Sequence, residues 1–164
     1  LKQAIAINPN SAKAYYHMGI AYNKLKRYTE AIAVFKKGIA IKPGDALAYF
    51  GLGNAYDDLK RYTEAIAAYK KAIALKPDFA EAHIGMGIAY GGAGHYNNAI
   101  AAFKKAVAIK PDFALAYYGM GITYGKIGRR REAIAALRKY LQLEPSGKFA
   151  ERARELIRRL SSGR

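Results

Sequence analysis

The chain of 164 residues contains five prolines, and all of them, Pro9, Pro43, Pro77, Pro111 and Pro145, stand 34 residues apart. Proline lacks the backbone donor that a helix interior needs, and its ring clashes with the preceding turn, so evenly spaced prolines punctuate equivalent helix ends. A fixed interval of this length marks one structural unit repeated along the chain, each unit burying its apolar face against its neighbours. Alignment on the prolines gives four complete units, 12–45, 46–79, 80–113 and 114–147, preceded by a remnant, residues 1–11, and followed by residues 148–164.

Each unit predicts two helices. The first carries an aromatic residue or histidine (Tyr15, Tyr49, His83, Tyr117), then a large apolar residue followed by glycine (Met18-Gly19, Leu52-Gly53, Met86-Gly87, Met120-Gly121), then Tyr22, Tyr56, Tyr90 or Tyr124. Offsets of three, four and seven define one helical face. The second helix repeats Glu-Ala-Ile-Ala at 30–33, 64–67 and 132–135, with Asn-Ala-Ile-Ala at 98–101, then Phe35, Tyr69, Phe103 or Leu137, and then Gly38, Ala72, Ala106 or Tyr140. A glycine inside a helix costs about 1 kcal/mol relative to alanine. Four at one register therefore predict close backbone approach, with Ala31, Ala65, Ala99 and Ala133 expected as the facing surface.

This set of residues, an aromatic, Leu or Met before Gly, Tyr, then Ala, an aromatic, a small residue and Pro at fixed offsets, resembles the tetratricopeptide repeat (TPR) family over essentially the whole chain. The resemblance implies an all-α, right-handed α-solenoid of helix-turn-helix units acting as a non-catalytic protein-protein interaction scaffold. Its inner groove would be lined by first-helix positions outside the packing set. By register these are Lys13, Tyr16, Ile20, Asn23 and Lys24, then Leu47, Phe50, Asn54, Asp57 and Asp58, then Glu81, Ile84 and Ile88, then Leu115, Tyr118, Ile122 and Lys126. Chaperone-binding members grip a peptide carboxylate with Lys and Asn, then Asn, then Lys and Arg. Here those registers hold Tyr16 and Ile20, then Asn54, then Glu81 and Gly85, so only the Asn survives. The expected ligand is instead an apolar helix or extended peptide, while packing between neighbouring first helices is the competing role for the same side chains.

Net charge is +16, from 28 Lys and Arg against 12 Asp and Glu, which favours acidic partners. Lys36-Lys37, Lys70-Lys71, Lys104-Lys105 and Arg138-Lys139 recur once per unit on the second helices and predict a basic outer ridge. Cations near helix C-termini are also stabilised by the macrodipole, which accounts for part of the pattern. The last 36 residues are the densest basic stretch, with Arg130, Arg131 and Arg158 among eleven cations. They support a second reading, an electrostatic adaptor for an acidic protein, an anionic membrane surface or nucleic acid, ranked behind the scaffold.

Other chemistry finds little footing. The chain has no Cys, which excludes disulfides and thiolate metal sites and fits a cytoplasmic location. Gly51-Leu-Gly53 and its counterparts imitate a dinucleotide fingerprint but lie inside helices and follow no strand. His17, His83 and His95 fall at three different registers, so no metal site is expected. Asp57 and Asp58 are the only adjacent carboxylates, and neighbouring helical residues are expected to point apart. No catalytic residue and no cofactor are therefore predicted.

At the C-terminal end, residues 147–160 predict an amphipathic capping helix with Ser146 as N-cap and an apolar stripe of Phe149, Ala153, Leu156, Ile157 and Leu160. Tyr140 is expected beneath it, and Glu151–Arg154 and Glu155–Arg159 are expected pairs. At the other end, Leu1 and Ala4 occupy the aromatic and small registers of a second helix whose start is missing. That reads as a fragment of a longer array with one uncovered face, expected to drive homo-oligomer formation.

Overall fold

The computed structural model describes residues 8–162, and residues 1–7 of the expected remnant of a preceding second helix lie outside them. Among the described residues there are nine helices: α1 (Ala12–Lys24), α2 (Tyr28–Ile41), α3 (Ala46–Asp58), α4 (Tyr62–Leu75), α5 (Ala80–Gly92), α6 (Tyr96–Ile109), α7 (Ala114–Lys126), α8 (Arg130–Leu143) and α9 (Ala150–Ser161). The second helices stop one residue before Lys42, Lys76, Lys110 and Glu144, each extended at φ between −137° and −131° as the residue ahead of a proline must be. Ser11 and Asp45 cap α1 and α3, their side chains accepting from Ala14 N at 3.3 Å and Leu47 N at 3.0 Å. The turns within pairs pass through the left-handed region at one register, occupied by Lys26, Lys60, Gly94 and Gly128.

The chain forms two compact units, residues 1–85 and 86–164. In the first, α1 packs on α2 and α3 on α4, with α2 against α3 and α1 beside α3. Its core is built around two rings. A methyl carbon at Gly19 would stand 2.6 Å from the Phe35 ring, and one at Gly51 2.5 Å from the same ring. Tyr69 is held likewise between Gly53 and Gly85, 2.6 Å in each case. In the second unit Phe103 lies between Gly87 and Gly119, at 2.7 and 2.6 Å. The mid-helix glycines therefore admit the second-helix aromatic as their nearest neighbour, ahead of the expected surface of Ala31, Ala65, Ala99 and Ala133, all four of them buried; at Gly121 the Ala133 carbonyl oxygen does stand within 3.3 Å of such a methyl. A ring lying on bare backbone needs the space a Cβ would take, whereas an alanine methyl does not. The dinucleotide-like Gly-x-Gly runs serve the same purpose, since Gly51 admits one ring and Gly53 the next.

The last pair modifies the clasp. Gly121 meets Leu137 at 2.6 Å, and the position one repeat beyond Gly119 is Ala153 in α9, buried in one cluster with Leu137, Tyr140 and Ala114. Phe149, Leu156, Ile157 and Leu160 pack against that cluster, so the expected stripe faces inward and Tyr140, 1% exposed, lies beneath it. The helix starts later than the sequence predicts. Its N-cap is Phe149 rather than Ser146, and the Phe149 N–H donates to the Tyr140 hydroxyl at 3.0 Å. Arg154 donates to the Pro145 carbonyl at 2.7 Å and pairs with Glu151, while Glu155 pairs with Arg152 at 2.9 Å instead of with Arg159.

Candidate functional site

The first-helix face of residues 1–85 carries a cleft of about 400 Å³ lined by Ile20, Asn23 and Lys24 of α1 and by Asn54, Asp57 and Asp58 of α3. Residues 20, 23 and 24 correspond to 54, 57 and 58 one repeat later, so the cleft forms where the last turns of two equivalent helices lie side by side. Asn54 is fixed from behind, its Oδ1 accepting from the Tyr69 hydroxyl at 2.8 Å. Burial, together with the nearby Asp57 and Asp58 carboxylates, pushes the Tyr69 phenol up, so it stays a donor. Asn23 Nδ2 donates to the Gly51 carbonyl at 3.4 Å. Two acceptors stay unsatisfied: Asn23 Oδ1 and Asp57 Oδ1 are enclosed without a hydrogen-bond partner.

Burial, aided by the adjacent Asp58 charge, raises the Asp57 carboxyl to about 6, and burial raises Asp58 as well. Both aspartates line the cleft, Asp57 half-buried and Asp58 exposed. They end the helix, and the cleft wraps around that end. Carboxylates there also face the negative pole of the helix dipole, an unfavourable setting.

The remaining groove candidates divide into exposed and packed. Leu47, Ile88 and Leu115 stay open at 46%, 45% and 36%, whereas Ile122 is half-buried and Lys13 and Glu81 are exposed. One register is drawn into packing. Tyr16 lies 6.2 Å from Phe35, and Phe50 lies 4.9 Å from Phe79 and 5.9 Å from Tyr69. Ile84 is only 3% exposed, and Tyr118 stacks on Phe149 at 4.6 Å. Ile84 is thus removed from the candidate lining, because its side chain is enclosed. Lys126 stands over the Tyr96 ring at 5.3 Å.

On the second helices Lys36, Lys37, Lys70, Lys71, Lys104, Lys105, Arg131 and Arg138 are exposed, as is Arg130, while Lys139 is half-buried and donates to Gln142 at 3.0 Å; Arg158, on α9, is exposed. The sequence reading missed a repeated arrangement beside them. Arg27, Arg61 and Arg129 stand over Tyr22, Tyr56 and Tyr124 at 4.8 to 4.9 Å, and their Nε atoms donate to Glu30, Glu64 and Glu132 at 2.7 to 2.8 Å. Arg at five residues after the Tyr and three before the Glu was the available signal. Those guanidiniums hold all three carboxyls below the usual range. In the third pair His95, edge-on to Tyr90 at 6.3 Å, and Asn98 take these places. Among the described residues no group of three or more His, Cys, Asp or Glu could hold a metal, and no helix is long and apolar enough to cross a membrane.

Paired helices, ring-on-glycine packing and an open first-helix face define an all-α repeat protein of the interaction-scaffold class. Family models described as TPR repeat match residues 21–60, 53–94 and 92–128, and models described as tetratricopeptide repeat match 1–33 and 114–146. The chain belongs to the tetratricopeptide repeat family. No curated protein matches it. Among solved structures it is similar to a crystal structure of MamA, with 32% identity and a TM-score of 0.82 over 88% of this chain and 84% of that one. It is similar to TTC0263, a thermophilic TPR protein of Thermus thermophilus, with 26% identity and a TM-score of 0.76 over 98% and 85%. The first TPR of Spaghetti (RPAP3), bound to the HSP90 peptide SRMEEVD, shows 25% identity and a TM-score of 0.68 over 72% and 91%.

Proposed function

We propose that this scaffold captures an extended or helical peptide segment along the face of its first helices. The observation that carries this reading is the exposure, within each compact unit, of large apolar first-helix side chains that packing leaves open, Leu47 in residues 1–85 and Ile88 with Leu115 in residues 86–164. The peptide-bound relative, RPAP3, supports peptide binding as the mode. Its ligand ends in acidic residues, whereas Asp57 and Asp58 would repel such a tail, and the clamp registers hold Tyr16, Ile20, Glu81 and Gly85. A peptide that is apolar and not acidic fits this face better.

Selection from a displayed library of linear peptides, followed by affinity measurement, tests the reading. Leu47→Asp should abolish binding to residues 1–85, and Ile88→Asp with Leu115→Asp binding to residues 86–164, helicity being retained in each case, and binding by the unsubstituted protein should persist at high salt. Tyr16, Phe50 and Tyr118 are poorer test positions, because their rings also support the fold. The electrostatic-adaptor reading draws on the exposed lysine pairs of the second helices. It predicts the reverse, binding lost on charge reversal of Lys70, Lys71, Lys104 and Lys105 and weakening steeply with salt. Self-association through the N-terminal end is a further proposal, read from the concentration dependence of sedimentation.

A further inference from the structure

We propose that the cleft at the C-terminal ends of α1 and α3 is a subsite for a guanidinium, the side chain of an arginine in the captured peptide. The inference rests on the peptide-scaffold reading for the source of the arginine, but its chemistry comes from the cleft. Two carboxylates, Asp57 and Asp58, line it, and among the described residues neither has an ion-pair partner. Two enclosed acceptors, Asn23 Oδ1 and Asp57 Oδ1, lack donors, one on each of the two helices. An acceptor buried without a donor is costly to maintain and signals a group supplied from outside.

The negative pole of the α3 dipole adds to the same preference for a cation. The residues behind the cleft are held in place, Asn54 by Tyr69 and Asn23 by the Gly51 carbonyl, so the acceptors are positioned before any ligand arrives.

A guanidinium suits this lining better than a compact ion. Its planar fork presents five donors and can serve acceptors on two helices at once. Ile20 supplies apolar surface for the methylene stem. Lys24 stands on the rim as the one cation of the lining, and it sets a limit on how many positive charges the cleft accepts. The raised Asp57 carboxyl fits a site whose charge is balanced only on binding. Among the lining positions, only Ile20 and Lys24 find their like in the later repeats, as Ile88, Ile122 and Lys126. Asn23, Asp57 and Asp58 give way to Gly91, Gly125 and Gly92, so the subsite belongs to residues 20–58 alone.

The test uses Nα-acetyl-argininamide and its neutral isostere Nα-acetyl-citrullinamide against the whole protein, followed by amide and carboxyl NMR. The arginine probe should give saturable shifts centred on Asn23, Asn54, Asp57 and Asp58 and lower the Asp57 titration midpoint. The citrulline probe should bind at least about tenfold more weakly, and Asp57→Asn with Asp58→Asn should lose the arginine response with helicity unchanged. Equal response to both probes, or an arginine response that survives the double substitution, overturns the proposal. Library peptides that bind the first-helix face without preferring arginine over glutamine would also overturn it while leaving the scaffold reading intact. A saturable arginine response in a protein that captures no peptide would do the opposite.

Discussion

In the first two helix pairs the turn residue in the left-handed region is lysine, Lys26 at φ 58° and Lys60 at φ 59°; in the last two it is glycine, Gly94 at 81° and Gly128 at 76°. The first-helix face divides the same way. Asn23, Asn54, Asp57 and Asp58 give residues 20–58 a polar, acidic end, where the later pairs place Gly91, Gly92, Gly125, Ile88 and Ile122. Yet the ring-on-glycine clasp is common to Phe35, Tyr69 and Phe103. Registers that touch neighbouring helices on both sides are held to one solution by close packing, while registers facing a turn or a ligand are free to diverge. Specific recognition is therefore sought where the repeats differ, and stability where they agree.

The agreement is broken most severely at a clasping glycine. Gly53→Ala places a methyl 2.6 Å from the Tyr69 ring, and overpacking of this kind costs about 1–3 kcal/mol, more than the helix propensity it returns. Gly121→Ala meets the flexible Leu137 and should cost less than Gly53→Ala in urea unfolding monitored by circular dichroism. Equal losses would show that the ring is not what the glycine serves.

The polar end gives the next effect. Asp57 has its folded-state carboxyl raised from 3.8 to about 6, so its favourable contribution is complete below pH 3.8 and is lost as pH rises through 6. Asp58, Lys24 and the Tyr69 phenol are the charged and titratable groups around it. Asp57→Asn should therefore stabilise the protein at pH 7.5, by roughly 1 kcal/mol after allowance for its solvent-open side, and leave it unchanged near pH 4. The difference between the two proteins' thermal midpoints across that range checks it.

The turns come third. Lysine in the left-handed region is strained by about 1 kcal/mol, partly offset by the greater freedom glycine has when unfolded. Lys60→Gly should raise stability by about 0.5 kcal/mol, and Gly128→Lys should lower it by a similar amount. The smallest change is expected at the Arg61–Glu64 pair, half exposed on both sides. Glu64→Gln should produce a slight drop in thermal midpoint that disappears in concentrated salt, and the third pair, with His95 and Asn98, should show no such salt dependence.

The helix pairs, their prolines and the stripe of α9 were legible in the sequence because each follows from a period or a backbone rule that needs no knowledge of neighbours. What faces what was harder to read. The glycines announced close approach, but their partner could be Ala31 or Phe35, and only three-dimensional packing selects the ring. Ser146 has the chemistry of a cap, yet the Tyr140 hydroxyl, nine residues from Phe149, took up the N–H instead. Of the expected groove residues, Asn23, Asn54, Asp57 and Ile20 meet in one cleft, while Ile84 is enclosed, because the register shared with Tyr16 and Phe50 turns toward the neighbouring helices. That Asp57 and Asp58 both line the cleft depends on the helix ending where it does, which a residue-by-residue reading treats as one position among many.

The substitution of Leu137 and Ala153 for the ring and glycine of the other clasps bears on how such a chain could be rearranged. An interior pair transplanted ahead of α9 would press an aromatic ring onto the Ala153 methyl, and the α8 pair moved inward would leave a hollow between two bare backbones. The modules are interchangeable in outline but keyed at their seams, so recombination would succeed only where both halves of a seam travel together.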